Sequence, residues 1–424
     1  MNSATPNRPI AIDLFSGAGG LGLGFEQAGF DLPLAVDIDP VHAAVHQFNF
    51  PLCEVLPCSV TAVTGREIRK RIGLSAKDPI AVVLGGVPCQ GFSIIGQRSA
   101  SDPRNVLVRD FLRLVEELQP DYFVFENVKG LTFGKQRQVL DEILVDIAET
   151  GYQLVMPWQV LNAADYGVPQ NRERLFLIGA RKDLPVPNYP LPLKKSPTCQ
   201  DALEDLPDAE QFETLVEKSE VMANLADDCS EYARRLRCES NDAAGWHYGY
   251  RRRWDRGLLT NSVRTNHSER SRIRFANTPP GTREPISHFD RLPPDGVSTT
   301  LRAGTDSARG SFTSPRPIHY RYARCITVRE MARLHGFPDW FRLHSTKWHG
   351  ARQVGNSVPP PLGRAIAAEI LKALGHTPGR PKGILQMGDE PLLTMTASEA
   401  AQYWGIKSPI RQRDPARQRM SMAS

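Results

Sequence analysis

The sequence predicts an α/β fold in which a doubly wound parallel sheet carries helices on both faces. Three observations support it. Short apolar runs alternate with segments of helical apolar spacing through the first 185 residues, a glycine-rich turn follows the first run, and polar residues end later runs. Such alternation indicates strand–helix–strand crossovers, and these sheets bind ligands at the carboxyl ends of their strands.

Five apolar runs are predicted to form buried strands, and four segments are predicted to form helices. The strand-like runs are IAIDLF, LPLAVD, IAVVLGG, DYFVFEN and RLFLIGA. The helix-like segments are residues 20–28, 41–48, 106–118 and 136–149. Regular patterning ends near Leu184 and returns at TVREMARLHGF and PPPLGRAIAAEILKALG. The second of these predicts a helix that begins with prolines and has one apolar face, formed by Leu362, Ile366, Ile370 and Leu374.

These changes in pattern predict a larger domain at residues 1–185 and a smaller, irregular domain at residues 186–322. Residues 323–375 are expected to return and complete the first domain. A basic tail of unassigned role follows at residues 376–424, with one short helix expected at SEAAQYWG.

The composition indicates a reduced protein of the cytoplasm. The 424 residues include seven cysteines, an odd number without the paired spacing of a zinc site, so neither a disulfide framework nor a metal is expected. The first residues, MNSATPNRPIAIDLF, lack the pattern of an export signal. No apolar run approaches the length that spans a bilayer, so no association with a membrane is expected.

Positive charge is concentrated between Tyr232 and Arg274. This stretch holds eleven arginines, no lysine and four acids, interleaved with tryptophan, tyrosine and histidine. A solvated face is the ordinary explanation for such a stretch, but arginine and aromatic residues together suit contacts to phosphates and bases better. The arginines predicted to contact nucleic acid are Arg251, Arg252, Arg253, Arg264 and Arg272.

A glycine-rich turn follows the first predicted strand. Gly17, Gly19 and Gly22 have the GxGxxG spacing of a dinucleotide-binding turn, and Asp37 stands where such a turn keeps its ribose-binding acid. Any cofactor that carries adenosine needs the same tight backbone. The glycines alone therefore leave a nicotinamide open.

Candidate catalytic residues follow the later strands. Cys89 lies in VPCQGFS, where Pro88 and Gly91 predict a tight exposed loop, so a nucleophile is favoured over a buried structural cysteine. The next strand ends in FVFENV, which brings Glu126 to the same edge of the sheet. Arg172 and Arg174 precede the last strand on alternate residues and share one face of an extended segment.

Six blocks together resemble the DNA cytosine-5 methyltransferases of bacterial modification systems. They are DLFSGAGG, GGVPCQGFS, FENV, QNRERLFLIG, TVREMARLHGFPD and QVGNSVPPPLG, in the order and at the spacings of that family. The resemblance implies a Rossmann-like methyltransferase domain, S-adenosylmethionine as cofactor, and a target-recognition domain at residues 186–322, with VRTNHSERSRIRF as its strongest candidate for DNA contact. The cofactor residues it implies are Phe15, Gly17, Gly19, Gly20, Leu21, Asp37, Leu107, Asn356 and Ser357. At CSVTAV the family often has an acid that contacts adenine, and no role is carried over there.

The resemblance also assigns chemistry to the catalytic candidates. The Cys89 thiolate would add to carbon 6 of a cytosine flipped out of the duplex, and carbon 5 would then accept the methyl group. A protonated Glu126 would bind ring nitrogen 3, and either Arg172 or Arg174 would bind the carbonyl oxygen at carbon 2. The expected partner is double-stranded DNA, with a cognate restriction endonuclease acting separately. The protein is expected to be a monomer associated with the bacterial nucleoid.

Three other functions remain open at this point. A cytosine-5 methyltransferase of RNA would use the same chemistry. A catalytically silent DNA-binding protein would keep the fold without the reaction. A nicotinamide oxidoreductase is supported by the GxGxxG spacing alone.

Overall fold

The computed structural model describes residues 8–88, 106–239, 245–305 and 313–407. Its strands are Ile10–Leu14 (β1), Asp31–Val36 (β2), Glu54–Leu56 (β3), Val82–Gly86 (β4), Tyr122–Val128 (β5), Tyr152–Leu154 (β6), Gln159–Asn162 (β7), Glu173–Arg181 (β8), Val221–Met222 (β9), Arg251–Arg252 (β10), Leu258–Leu259 (β11) and Ile384–Leu385 (β12). Its helices are Gly20–Ala28 (α1), Pro40–Asn49 (α2), Gly65–Arg71 (α3), Val106–Leu118 (α4), Arg137–Glu149 (α5), Cys199–Leu203 (α6), Glu231–Leu236 (α7), Glu269–Asn277 (α8), Val328–Leu334 (α9), Lys347–Asn356 (α10), Pro360–Ala373 (α11) and Ala397–Tyr403 (α12).

The main sheet has the strand order β3-β2-β1-β4-β5-β8-β6, with β7 also paired to β8. β3, β2, β1, β4 and β5 run parallel to one another, whereas β8 runs antiparallel to β5. The predicted doubly wound α/β fold is confirmed. The antiparallel direction of β8 matters for the site, because it brings the start of β8 beside the carboxyl end of β5.

Helices α1 and α11 pack closely against each other. A Cβ atom at Gly24 of α1 would lie 2.6 Å from both the carbonyl oxygen of Pro360 and the amide nitrogen of Arg364, so no larger residue fits there. Three residues of the apolar face predicted for α11 are fully buried, Leu362, Ile366 and Ile370. The fourth, Leu374, follows the last helical residue and is half-buried. Helix α11 therefore lies directly against the first helix that follows β1.

Much of the segment 186–322 shares its core with the sheet domain. Cys199, Leu203, Trp246 and Leu301 are buried in the same hydrophobic cluster as α1 and α11. A smaller separate cluster consists of Phe275, Ile318 and Cys325. The expected irregular character is clear in the short strands β9, β10 and β11.

The first part of the tail packs against the sheet domain. β12 pairs in parallel with β10. The predicted short helix is confirmed as α12, which packs on α2, and the indole nitrogen of Trp404 donates to the carbonyl oxygen of Pro40 at 3.2 Å. In the described part of the chain, no helix is both long enough and apolar enough to cross a membrane.

The prediction that Arg252 contacts DNA is wrong, because its side chain is buried inside the fold. Both terminal nitrogens of Arg252 bind the carboxylate of Glu26, and the side chains are 1% and 6% exposed. The guanidinium also lies 4.4 Å from the ring centre of Trp340. Arginine runs in sequence do not distinguish a guanidinium that faces solvent from one that neutralises a buried acid.

We expect Arg252→Ala to lower the free energy of unfolding by about 3–5 kcal/mol, because it leaves the Glu26 carboxylate buried without a partner. Urea denaturation followed by circular dichroism measures this loss. Arg253→Ala is the matched control, since Arg253 is the exposed neighbour and its loss should change stability by less than about 0.5 kcal/mol. Equal stability of the two variants would contradict a structural role for Arg252.

Candidate active site

The glycine-rich turn and Asp37 form one end of a cleft at the carboxyl edge of the sheet. Phe15, Gly17 and Gly19 all have positive φ values, 58°, 55° and 100°. The amide of Gly17 donates to one oxygen of Asp37 at 2.8 Å, and the amide of Asp39 donates to the other at 2.8 Å. Two backbone donors thus fix the Asp37 carboxylate against the turn.

The start of α1 brings a second segment to this turn. A Cβ atom at Gly20 would lie 2.5 Å from the carbonyl oxygen of Val358 and 2.8 Å from Cβ of Ser357, so only glycine allows the contact. At Gly19 a Cβ atom would lie 2.4 Å from the ring of Phe50, so a larger residue does not fit there either. Gly19 is not among the residues that line the cleft, and its contact with the cofactor stays a prediction.

The cleft has a volume of about 510 Å³, and most of the expected cofactor residues line it. These are Phe15, Gly17, Gly20, Leu21, Asp37, Leu107, Asn356 and Ser357. Three of the expected catalytic residues line the same cleft, namely Glu126, Arg172 and Arg174. Residues far apart in the chain thus meet in one space.

Glu126 and Arg174 form an ion pair in this cleft. Register places Glu126 opposite Phe176 and Val128 opposite Arg174, so the two charged side chains are diagonal neighbours on one face. Arg174 Nε lies 3.0 Å from Glu126 Oε1, and the two side chains are 14% and 10% exposed. Burial raises the pKa of Glu126, and the nearby Arg174 and Arg172 oppose that rise. The carboxyl group is therefore easier to protonate than an exposed one.

Arg172 has a different environment although it also borders the cleft. Its guanidinium donates to the carbonyl oxygens of Leu301 at 3.2 Å and of Gly355 at 2.8 Å, and the residue is 1% exposed. Arg172 thus connects the residue before β8 to Leu301 and to Gly355 near the end of α10. Of the two arginines that the sequence left equivalent, Arg174 has its guanidinium beside the acid, and Arg172 joins backbone segments.

Cys89 lies outside the described residues. Gly86, Val87 and Pro88 line the cleft directly before Cys89. The side chain of Asn127 donates to the carbonyl oxygen of Val87 at 3.2 Å and fixes the strand end there.

Sequence reasoning missed several polar groups of the cleft. Asp13 lies near the carboxyl end of β1, and Oγ of Ser16 is buried with no hydrogen-bond partner among the described residues. Burial and the charge of Asp37 raise the pKa of Asp13. The Nδ1 atom of His42 lies 3.8 Å from Oδ1 of Asp37. Asp13 could have been identified from the sequence, because it is an acid within the apolar run IAIDLF. No feature of the sequence indicated that His42 would lie at the cleft.

The arginines predicted to contact DNA divide into two groups. Arg272 pairs with Glu210 at 2.6 Å, and Arg264 donates to the carbonyl oxygen of the same Glu210 at 3.2 Å. Arg251 and Arg253 are exposed on β10 and just beyond it. Because Arg251 and Arg253 are exposed, their predicted contact with DNA stays a prediction. Arg264 and Arg272 bind Glu210 within the fold.

Residues 10–372 match the family model described as C-5 cytosine-specific DNA methylase, and the chain belongs to this family. The protein is therefore a methyltransferase that acts at carbon 5 of cytosine in DNA. Two similar proteins are named type II methyltransferases. The type II methyltransferase M.XorII of Xanthomonas oryzae pv. oryzae is 54% identical over 95% of this chain and 94% of its own length. M1.HphI of Haemophilus parahaemolyticus is 34% identical over 85% of this chain and 86% of its own length.

A solved structure supports the same conclusion. A DNA modification methyltransferase from an Escherichia coli prophage has a TM-score of 0.71 and 32% identity, and it covers 87% of this chain and all of its own. The nicotinamide interpretation of the glycine turn is thereby excluded as the function of this chain.

Proposed function

We propose that the protein methylates carbon 5 of a cytosine that is flipped out of a specific duplex sequence, with S-adenosylmethionine as methyl donor and Cys89 as covalent nucleophile. The observation that carries this proposal is the Glu126–Arg174 pair in the cleft that also holds the glycine turn and Asp37. A carboxyl group and a guanidinium side by side match the adjacent ring nitrogen and carbonyl oxygen of cytosine.

The cleft fits the proposed cofactor. The fixed carboxylate of Asp37 is a suitable acceptor for ribose hydroxyls. The space beside Gly17 leaves room for a ligand, because a Cβ atom there would meet nothing within 4 Å. The buried Oγ of Ser16, which has no partner among the described residues, is a polar atom that a bound ligand can satisfy. When bound, S-adenosylmethionine supplies an electrophilic methyl group.

Three side chains of the protein have separate roles in the proposed reaction. Cys89 adds to carbon 6 of the target ring, which makes carbon 5 nucleophilic. Protonated Glu126 donates to ring nitrogen 3, and Arg174 donates to the carbonyl oxygen at carbon 2, so both stabilise the charge that develops on the ring. Loss of the proton from carbon 5 then restores the double bond and releases Cys89. A stacked base cannot reach these groups, so the cytosine must leave the helix.

We assign target recognition to residues 186–322. We assign cofactor binding and catalysis to residues 1–185, completed by residues 323–375. The proposed substrate is bacterial genomic DNA, so we place the enzyme at the nucleoid. We also propose that it acts as a monomer. A cognate restriction endonuclease would act separately on the same sequence.

Methylation of duplex DNA tests the proposal. The protein is incubated with a duplex library and S-adenosylmethionine, and bisulfite sequencing locates any 5-methylcytosine. Transfer RNA is the parallel substrate. Methylation of one duplex sequence supports the proposal, preferential methylation of transfer RNA would replace DNA by RNA, and binding without methylation would identify a silent DNA-binding protein.

We expect Asp37→Ala and Phe15→Ala each to weaken binding of S-adenosylmethionine about ten-fold or more, because the ribose loses a charged acceptor and the adenine a stacking partner. Calorimetry measures the affinity, and DNA binding should not change. Asp141→Ala and Phe133→Ala are the controls, since both residues are exposed and neither lines the cleft. Wild-type affinity in both test variants would mean that the cofactor binds elsewhere.

A further inference from the structure

Residues 298–303, from the segment assigned to target recognition, pair with the chain just before β8. The amide of Ser298 donates to the carbonyl oxygen of Pro169 at 2.9 Å, and the amide of Asn171 donates to the carbonyl oxygen of Ser298 at 2.8 Å. The two stretches run parallel where they pair. The target-recognition segment is thus joined to the chain that leads directly into β8.

The end of α10 contacts the other side of residues 298–303. A Cβ atom at Gly355 would lie 2.4 Å from the amide nitrogen of Ala303 and 2.5 Å from the carbonyl carbon of Arg302, so only glycine allows this approach. Residues 355–357 all line the cleft and form one wall of it. Residues 298–303 are therefore held between the chain before β8 and this wall of the cleft.

Two buried side chains hold the backbone of Leu301. Its carbonyl oxygen accepts from Arg172 at 3.2 Å, and its amide donates to Oε1 of Gln170 at 3.1 Å. Arg172 also reaches the wall of the cleft directly, through the carbonyl oxygen of Gly355. Gln170 is fully buried, so the nitrogen of its side chain also needs partners within the protein.

His335 links Gln170 to the same wall of the cleft. Nε2 of Gln170 lies 3.0 Å from Nδ1 of His335, and Nε2 of His335 lies 3.0 Å from the carbonyl oxygen of Ser357. A carbonyl oxygen only accepts, so Nε2 of the ring donates to it and Nδ1 accepts from Gln170. Burial and the charges of Arg172 and Arg174 hold the pKa of His335 well below its usual value, which keeps the ring neutral.

We propose that His335 is a positioning residue for methyl transfer, which keeps the target-recognition segment in register with the wall of the cofactor cleft. His335 is not among the residues that line the cleft, so it acts through its neighbours. Its hydrogen bonds complete a buried chain that runs from Leu301 through Gln170 to Ser357. The inference rests on the proposed function and deepens it by naming a residue that aligns the two binding sites.

The alignment of these segments bears directly on the reacting groups. Arg172 stands two residues before Arg174 on the same extended chain, and Arg174 pairs with Glu126 at 3.0 Å. A displacement of residues 355–357 therefore changes the distance between the bound methyl donor and the groups that bind the base. Misplacement by about 1 Å can slow a reaction about 100-fold.

Calorimetry with S-adenosylmethionine and single-turnover methylation of the identified duplex test the inference. We expect His335→Leu to weaken cofactor binding about five-fold or more and to slow methyl transfer about ten-fold or more, because Ser357 loses its donor and Gln170 its acceptor. His335→Gln should restore both values to within about three-fold, since one amide group can accept through its oxygen and donate through its nitrogen. His335→Asn, whose shorter side chain cannot reach both partners, should show the losses if the leucine variant does not fold.

His344→Leu is the matched control. His344 is also buried, and its ring makes two hydrogen bonds of the same length, 3.0 Å to the hydroxyl of Thr346 and 3.0 Å to the carbonyl oxygen of Met395. Its loss should lower the free energy of unfolding by an amount similar to the loss at His335. Cofactor affinity and methylation rate should stay within about two-fold of wild type, because neither Thr346 nor Met395 lines the cleft.

Gln170→Leu, alone and combined with His335→Leu, shows whether the two residues act through one chain. Members of one hydrogen-bond network couple, so the double variant should lose little more than either single variant. Additive losses, failure of His335→Gln to restore function, or equal losses in His344→Leu overturn the inference. If wild type binds S-adenosylmethionine but methylates no duplex, the proposed function fails instead, and the cofactor affinities of the variants still decide the role of His335.

Discussion

Cys89→Ala is expected to abolish methylation, with a loss of more than about 1000-fold, and to form no covalent complex with DNA that carries 5-fluorocytosine at the target base. Wild type should be trapped on this duplex in the presence of S-adenosylmethionine. The Cys89→Ala protein should still bind the duplex, because the groove contacts come from other residues. A denaturing gel shows the complex, and peptide mapping identifies the linked residue.

The trap follows from the order of bond changes that we propose. The sulfur of Cys89 bonds to carbon 6, and carbon 5 then receives the methyl group. With hydrogen at carbon 5, loss of that proton re-forms the double bond and breaks the carbon–sulfur bond. Fluorine cannot leave as a proton does, so the carbon–sulfur bond persists.

Cys58 provides the matched control for this experiment. It also lines the cleft, and it is the cysteine of the described residues that is not fully buried. Burial raises the pKa of its thiol, which disfavours the reactive thiolate. Cys58→Ala should therefore still form the crosslink. A crosslink that maps to Cys58, or full methylation by Cys89→Ala, would disprove the proposed nucleophile.

The sheet and the cleft were predictable from the sequence because their signals are local. Buried parallel strands need continuous apolar runs, and the runs ending at Leu14, Gly86 and Val128 have them. Helix α3 has few apolar residues, so its pattern gave no signal, although Thr64 caps it. Strand β3 is three residues long and too short for periodicity to indicate it.

The roles of individual arginines were not predictable, because they depend on partners far away in the chain. Arg252 binds Glu26, and Arg172 binds the carbonyl oxygens of Leu301 and Gly355. Neither partner can be inferred from the local sequence. A buried arginine and an exposed one have the same residue type, and the tertiary structure decides between a core ion pair and a ligand contact.

Glu126→Gln is expected to slow methyl transfer by about 100-fold to 10,000-fold, the range typical of a lost general acid. The amide is nearly isosteric and can still donate a hydrogen bond, but it cannot supply a proton at ring nitrogen 3. Single-turnover methylation of the identified duplex measures the rate. Glu173→Gln is the matched control, because Glu173 is an exposed acid on the same strand as Arg174 and pairs with Lys129.

The pH dependence provides a second measurement of the same acid. Catalysis requires the protonated carboxyl group of Glu126 as well as the thiolate of Cys89, so the wild-type rate should first rise with pH as the thiolate forms. Because burial raises the pKa of Glu126, the rate should then fall as the pH rises through that pKa. The Glu126→Gln rate should lack this alkaline fall, because its amide does not titrate. Arg174→Ala removes the cation that opposes the rise, so its alkaline fall should move to higher pH. A fall that persists unchanged in Glu126→Gln would assign the titration to another group and contradict the role of Glu126 as the acid.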